Sequence, residues 1–221
     1  MATWITHFRI ADYFLDRIPG IDPEAFIVGN IGPDCGVPNA DWSAFSPPAQ
    51  VTHWNENEEG KDCRSDAFAA KYLHGTHTSP RTRSFLLGYY IHLLTDNEWS
   101  HRVYRPKRSQ YQAQFDSDKD FIWQFKRDWY DLDHLYLKEH PDFRAFHIFA
   151  SVGEFYDDAL EYFPKNAYTR QIGFITRFYR EFDGDLGHEY PYLNKKEMDD
   201  FVRDAIAVIE AEPLVKDRLA D

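Results

Sequence analysis

FLLGYYIHLLTDNEW, residues 85–99, decides the architecture. It follows a Ser79-Pro80 turn signal and contains no proline. The segment from about Thr82 to Tyr104 is the most apolar of the chain, so it is expected to be the buried central helix of an all-α, multi-helix bundle. Its longest apolar stretch, Phe85 to Leu94, is roughly half of the ~20 residues a membrane-spanning helix needs, so it reads as a core helix rather than a transmembrane segment.

His92 and Asp96 interrupt this helix four positions apart, which places them about 40° apart around the axis, on one face. An ionised carboxylate on so apolar a segment is strongly penalised unless a cation or a hydrogen-bond donor compensates it. A metal ion is one such partner. A hydrogen bond between the two side chains, or to a neighbouring helix, is another, and an H-x-x-x-D spacing alone does not choose between them.

The rest of the chain also reads as helices. Residues 3–18 place Trp4, Phe8, Ala11, Leu15 and Ile18 at helical spacing until Pro19-Gly20 stops them. Asp22-Pro23 is a cap and first-turn pair, and opens a short helix through Phe26 and Val28 that ends at Gly29, Gly32 and Pro33. The stretch from Gly32 to Gln50, with four Pro and two Gly, predicts an ordered but irregular loop. A helix is expected from about Asp62 to His74, then one over Phe121 to Glu139 capped by Asp118 or Ser117, and others at about 142–162, 165–182 and 194–211. In the last, Asn194 and Glu197 form a capping box, and Met198, Phe201, Val202, Ala205, Ile206 and Ile209 line one apolar stripe. No window alternates at period two. No repeat or linker divides the chain, so residues 1–221 are expected to form a single domain.

Composition narrows the function. A net charge of -12 speaks against a nucleic-acid-binding surface, which needs clustered Lys and Arg, and more weakly against anionic membranes. Bound cations can nevertheless reverse the local potential and admit a phosphate ester. Residues 1–18 show no uninterrupted apolar signal region, and Cys35 and Cys63 read as a pair of reduced thiols, so a cytoplasmic location is expected.

Other groups could join His92 and Asp96. His7 lies among Trp4, Ala11 and Phe14 on the inward side of the first helix, where a satisfied core histidine is the ordinary reading. Asp34 follows Gly32-Pro33, whose restricted backbone holds a carboxylate in place, although Pro-Asp is also plain turn chemistry. His53 sits beside Trp54 at the end of the proline-rich loop. Four groups rank lower: His134 with Asp131, His147 with Glu154, the His74/His77 pair, and an acidic turn at Asp183, Asp185 and Glu189 that lacks the spacing of a calcium loop.

In this order the motifs WITH (His7), GNIGPD (Asp34), VTHW (His53) and GYYIHLLTD (His92, Asp96) resemble the zinc-dependent phospholipase C family, and its small cytoplasmic members more than the secreted enzymes. The resemblance covers the first hundred or so residues well and the remainder only as helices. It implies the helical bundle of the phospholipase C and P1 nuclease type and a closely spaced pair of Zn2+ ions. His7 and Asp96 would serve one ion; Asp34, His53, His92 and Asp96 would serve the other, with Asp96 bridging. Secreted members also use the amine of an N-terminal Trp, which Trp4, preceded by Met1-Ala2-Thr3, does not present. They carry a third ion on two His and one Glu, for which only His101 falls near the expected position.

The expected activity is therefore metal-dependent hydrolysis of a phosphoric ester, in a small molecule or lipid headgroup, with Asp34 and Asp96 catalytic: two ions activate water and hold phosphoryl oxygens, and Asp34 helps to deprotonate the water. Manganese, iron or nickel would suit the same N/O ligands. Two rivals remain: a non-hydrolytic helical metal-binding or carrier protein, a class that usually shows duplicated E-x-x-H pairs not found here, and a structural module in which the five residues lie far apart.

Overall fold

The computed structural model describes residues 1–41, 43–55, 62–75 and 79–219, and the regular structure there is almost entirely helical. The apolar run forms α5 (Pro80–Trp99), with every residue from Ser84 to Asp96 buried. Ser79 caps it by accepting the Thr82 N–H, with Pro80 in the first turn, where its missing N–H costs nothing. Around it pack α1 (Trp4–Leu15) and α2 (Pro23–Gly29), the latter capped by Asp22, which accepts the Ala25 N–H at 3.0 Å.

α2 crosses α5 at backbone contact. A Cβ on Gly88 would lie 2.1 Å from the Phe26 carbonyl oxygen, and one on Gly29 would lie 2.0 Å from that of Phe85. Only glycine permits this approach. The amide of Asn30, just past α2, donates to the Gly88 carbonyl at 3.3 Å.

The segment from 32 to 50 is more regular than its Pro and Gly content implies. It holds a 3-10 turn (Gly32–Asp34), a two-residue antiparallel ladder of β1 (Val37–Pro38) with β2 (Phe45–Ser46), and the start of α3 (Ala49–Thr52). α4 (Ser65–Tyr72) lies inside the expected 62–74. Beyond Trp99 the central helix widens into a π-helical turn (Ser100–Tyr104) and continues as α6 (Arg105–Gln110), with Pro106 accommodated in the first turn of α6; α7 (Gln112–Ser117) follows. Neither α6 nor α7 was expected, and neither has a buried residue, so their apolar period is too weak to read.

α8 spans Phe121–Glu139 as expected, but neither Asp118 nor Ser117 caps it. Asp118 accepts the N–H of Asp120 in a local turn, and Ser117 donates to the Gln114 carbonyl. The helix expected over 142–162 stops early, as α9 (Arg144–Ser151). Past Gly153 the chain leaves the helical ladder, Phe155 exchanges backbone hydrogen bonds with the Thr169 hydroxyl, and its ring fills the core between Phe85 and Tyr168. α10 (Ala167–Arg180), α11 (Lys195–Ala211) and α12 (Pro213–Lys216) complete the bundle. Both halves of the Asn194/Glu197 capping box form, and the α11 stripe is buried except for Ile206, which is half-buried. No helix among the described residues is long and apolar enough to cross a membrane.

One buried carboxylate ties three helices together. Asp133 of α8, only 2% exposed, accepts from the Thr3 hydroxyl at the head of α1 (2.7 Å) and from the Tyr179 hydroxyl of α10 (2.5 Å). Burial outweighs these bonds and pushes its pKa up to about 7.

Replacing Gly88 with Ala should destabilise the fold by about 3 kcal/mol or more, because helix backbone, not a movable side chain, occupies the space; the midpoint of urea unfolding measures it. Asp133 makes stability depend on pH. Its folded pKa lies above the unfolded value of roughly 3.9, so the folded state binds the extra proton between these limits, and the contribution of Asp133 to stability falls as pH rises from about 4 to about 7, opposite in sign to those of His7 and His134, whose pKa values burial lowers to about 4. In a pH series of thermal melts, the stability of metal-free Asp133→Asn relative to metal-free wild type should therefore rise between about pH 4 and about pH 7.

Candidate metal centre

Four separate segments bring His7, Asp34, His53, His92 and Asp96 together. α1 contributes His7, the 3-10 turn contributes Asp34, the residue after α3 is His53, and α5 supplies His92 and Asp96 one turn apart. His53 Nε2 lies 3.3 Å from Asp34 Oδ1, 3.4 Å from His92 Nε2 and 3.5 Å from Asp96 Oδ2. His92 Nε2 is 3.4 Å from Asp96 Oδ2. On the other side of the same carboxylate, His7 Nε2 is 3.4 Å from Asp96 Oδ1, and the His7 ring stacks on that of His92 with centroids 3.8 Å apart. Each of the triads His7–His92–Asp96 and Asp34–His53–His92 can offer one ion three ligand atoms.

The outer hydrogen bonds decide what these atoms present. His92 Nδ1 donates to the Asn30 carbonyl at 2.7 Å, while His53 Nδ1 lies 3.0 Å from the Thr52 hydroxyl and 3.2 Å from the Ala49 carbonyl. A carbonyl only accepts, so the proton of a neutral His92 ring sits on Nδ1 and its Nε2 faces the cluster as a free ligand atom, as in metal sites where an outer partner fixes the tautomer; the His53 Nε2 also faces inward. The close approach of α2 to α5 is what delivers the Asn30 carbonyl. His53 is followed by Trp54 at φ +56°, an unusual conformation for a bulky residue, held by ring contacts to Phe68 and Tyr72.

Two Nε2 atoms thus converge on two carboxylates; against burial, Asp96 and Asp34 raise the pKa of His92, and a divalent ion would compete with that proton for Nε2. Against burial, which favours the neutral acid, the Met1 α-amine, His92 and the contact with His7 hold Asp96 well below the usual carboxylate range. Burial likewise opposes the ionisation of Asp34, and His53 and His92 outweigh it. His7 moves the other way: burial and the adjacent His92 pull it down to about 4 despite Asp96, so at neutral pH it is an uncharged imidazole. Both His7 nitrogens and Asp96 Oδ2 are buried without a hydrogen bond, although each carboxylate oxygen of Asp96 has imidazole nitrogen within 3.5 Å.

These atoms fit a divalent ion. Four bonds of ~2.0–2.1 Å in tetrahedral array hold ligand atoms roughly 3.3–3.4 Å apart, and His53 lies 3.3 to 3.5 Å from Asp34, His92 and Asp96, with His92 3.4 Å from Asp96. The chemistry fits as well: imidazole and carboxylate are zinc ligands, and a cation is what an orphaned buried Oδ2 lacks.

Several partners in this arrangement carry no motif. The Ala2 N–H donates to Asp96 Oδ1 at 2.8 Å, and the Trp4 indole donates to Asp34 Oδ2 at 3.0 Å. Trp4 packs edge-on against Phe174 and Phe178 of α10 and at a tilt against Tyr130 of α8, making an aromatic wall beside Asp34. One turn before Tyr130 is Lys126, half-buried, with its ammonium 4.6 Å from the Trp123 ring centroid. Burial lowers its pKa, and Asp34 is the charge that opposes this. The only earlier hint of these roles is that Trp4 precedes His7 by one helical turn, since contacts between helices distant in the chain leave no local pattern.

The remaining candidates lie elsewhere. His101 is nine residues beyond His92, two and a half turns and so on the opposite side of the helix; it is exposed and bonds Asp62. Glu98, three residues before His101, pairs with Arg102, so this single E-x-x-H is not a ligand pair. His134 stacks on Phe182 at 3.6 Å, is pulled down to about 4 by burial, and leaves Asp131 to pair with His188. His147 bonds the Pro141 carbonyl and Glu154 is exposed. His74 is exposed, Asp183, Asp185 and Glu189 form an exposed turn, and His77 lies outside the described residues.

An all-helical protein with a buried cluster of three imidazoles and two carboxylates suited to divalent cations is the class that this fold and geometry define. The chain belongs to the zinc-dependent phospholipase C family, whose model matches residues 6–212 and so takes in all five side chains. Membership makes it a metal-dependent phosphoesterase. No curated protein and no solved structure matches it.

Trp4→Phe preserves the wall but removes the N–H that Asp34 accepts. Loss of such an outer-shell bond should weaken zinc binding ten- to a hundredfold in a chelator competition, with the far-ultraviolet circular dichroism unchanged.

Proposed function

We propose that the chain hydrolyses a phosphoric ester at a centre of two divalent ions, with zinc the favoured metal. Asp34, His53, His92 and Asp96 hold one ion, His7 and Asp96 serve the other, and Asp96 is shared. The observation that carries this reading is the convergence of two inward Nε2 atoms on two carboxylates at 3.3 to 3.5 Å, around buried atoms with no hydrogen bond of their own. Bound there, the ions would lower the pKa of adjacent water and offset charge on the phosphoryl oxygens.

The rest of the chemistry falls to the chain's own residues. Asp34 is the most open of the five, with its side chain 11% accessible against 3% or less for the others. It therefore marks the side from which substrate and water enter, and in this reading it takes the proton from the attacking water. Lys126 has no carboxylate in ion-pair contact among the described residues, so its ammonium is available to a phosphoryl oxygen. The aromatic wall of Trp4, Tyr130 and Phe178 excludes water from one flank, which strengthens both interactions. The substrate is a small-molecule or lipid-headgroup phosphoester. Cys35 and Cys63 are both free, which fits a reducing compartment, and the proposal places the enzyme in the cytoplasm.

Elemental analysis of the purified protein beside Asp96→Ala, followed by a chromogenic phosphodiester assay with added zinc or manganese, tests the reading. The wild type should carry about two ions per chain and hydrolyse the ester, as expected of a two-metal site, and the variant should lose both properties. Metal retained by the variant at full stoichiometry would refute the ligand assignment; metal bound without hydrolysis of any phosphoester would favour a carrier. In the active enzyme, Lys126→Met should raise KM about tenfold, the equivalent of roughly 1.4 kcal/mol of binding, with a smaller change in kcat.

A further inference from the structure

α1 starts without a cap of its own. The side chain of Thr3, its N-cap residue, accepts no N–H from the first turn. Its hydroxyl instead donates to Asp133 Oδ1 at 2.7 Å and lies 2.9 Å from the Thr6 hydroxyl. Asp133 Oδ2 supplies the missing acceptor from across the core, receiving the Ile5 N–H in a long 3.4 Å bond and the Tyr179 hydroxyl at 2.5 Å. A negative group at a helix N-terminus is favourable. Even so, the Thr3 side chain could have capped the helix locally without burying a carboxylate. What a local cap could not do is lock α1 to α8 and α10.

That lock sits where α1 meets the metal centre. Within residues 2–7, the Ala2 N–H and His7 Nε2 lie 2.8 and 3.4 Å from Asp96 Oδ1, and the Trp4 indole is 3.0 Å from Asp34 Oδ2. Thr3 and Ile5, which Asp133 grips, alternate with these contacts along the same turn. Asp133 belongs to neither triad of metal-competent side chains.

We propose that Asp133 is a positioning residue of the metal centre: by anchoring the first turn of α1 to α8 and α10 it sets the approach of His7 to Asp96, and with it the affinity of the ion on the His7 side. The Asp34–His53–His92 side is built from the 3-10 turn, α3 and α5, and does not depend on this anchor for its imidazoles. The effect is therefore larger on the His7 ion, because the other ion meets the anchored turn only through the outer bonds of the Trp4 indole to Asp34 and the Ala2 N–H to Asp96. The inference rests on the two-ion reading above.

Stepwise cobalt(II) titration of the metal-free full-length chain, read by visible absorption, separates the two sites; His7→Ala identifies which step belongs to His7. In Asp133→Asn that step should weaken ten- to a hundredfold, while the other weakens by a clearly smaller factor and the melting temperature of the metal-free protein at pH 7 does not fall. Thr3→Val, which keeps the carboxylate and removes one anchor bond, should weaken the same step by a smaller factor, and it decides the matter alone should the Asn variant fail to fold. Two unchanged steps in both variants overturn the inference, as does a parallel loss of both steps with a falling melting temperature, the mark of a general structural role. A wild-type protein that takes up no cobalt, or only one ion, refutes the two-ion reading itself and this inference with it.

Discussion

The contact between the backbones of α2 and α5 is the constraint from which the rest of the centre follows. Gly29 and Gly88 bring the two helices to a distance that any Cβ would prevent, and Asn30 then reaches α5 on two levels: its amide meets the Gly88 carbonyl, and its own carbonyl meets His92 one turn further on. That second bond sets the tautomer of the histidine at the middle of the cluster. Close packing of helices is thus converted directly into the direction of a lone pair.

The electrostatics of the cluster are consistent with this demand for positive charge. Asp96 is surrounded by apolar residues of the central helix, and its ionised form is held by the Met1 α-amine, imidazoles and one backbone N–H. His7 contributes a neutral ring rather than a cation, which leaves its lone pair free but supplies no charge. The stabilisation available from the protein alone therefore stops short at Oδ2, an acceptor buried with no donor. In a chain of net charge -12, a divalent ion would give the local compensation that the surrounding sequence does not.

Order at the periphery comes from aromatic packing and one carboxylate. Trp4 joins α1 to the wall formed by α8 and α10 while its indole holds Asp34, and Asp133 fastens the same turn from behind. His53 is directed by its own short helix, and the carbonyl of Thr52 beside it accepts from the buried Tyr89 hydroxyl. Asp34 and His92 are thus each fixed by a partner from another element, the kind of support that precise metal sites require.

Much of this was legible in the linear chain. The apolar run around His92 and Asp96 identifies the central helix, because burial on all sides removes the polar face that an outer helix must keep. Caps at Asp22, Ser79 and Asn194 place helix starts, because they depend on residues within three positions. The same locality explains the failures: α6 and α7 bury nothing and so have no period to read, and α9 ends early because Phe155 is drawn into the core by Phe85 and Tyr168, residues far from it in sequence. The five clustered side chains could be named from the order of their motifs, whereas His101 and His134 were drawn from spacing that the helix geometry turns away from the cluster. The sequence by itself determined the helices and the residues able to bind metal, since both follow from local chemistry. Only the tertiary structure decided that Asn30, Trp4 and Asp133 would orient them, because the direction of a lone pair is set by backbone and side chains that meet only after the helices pack.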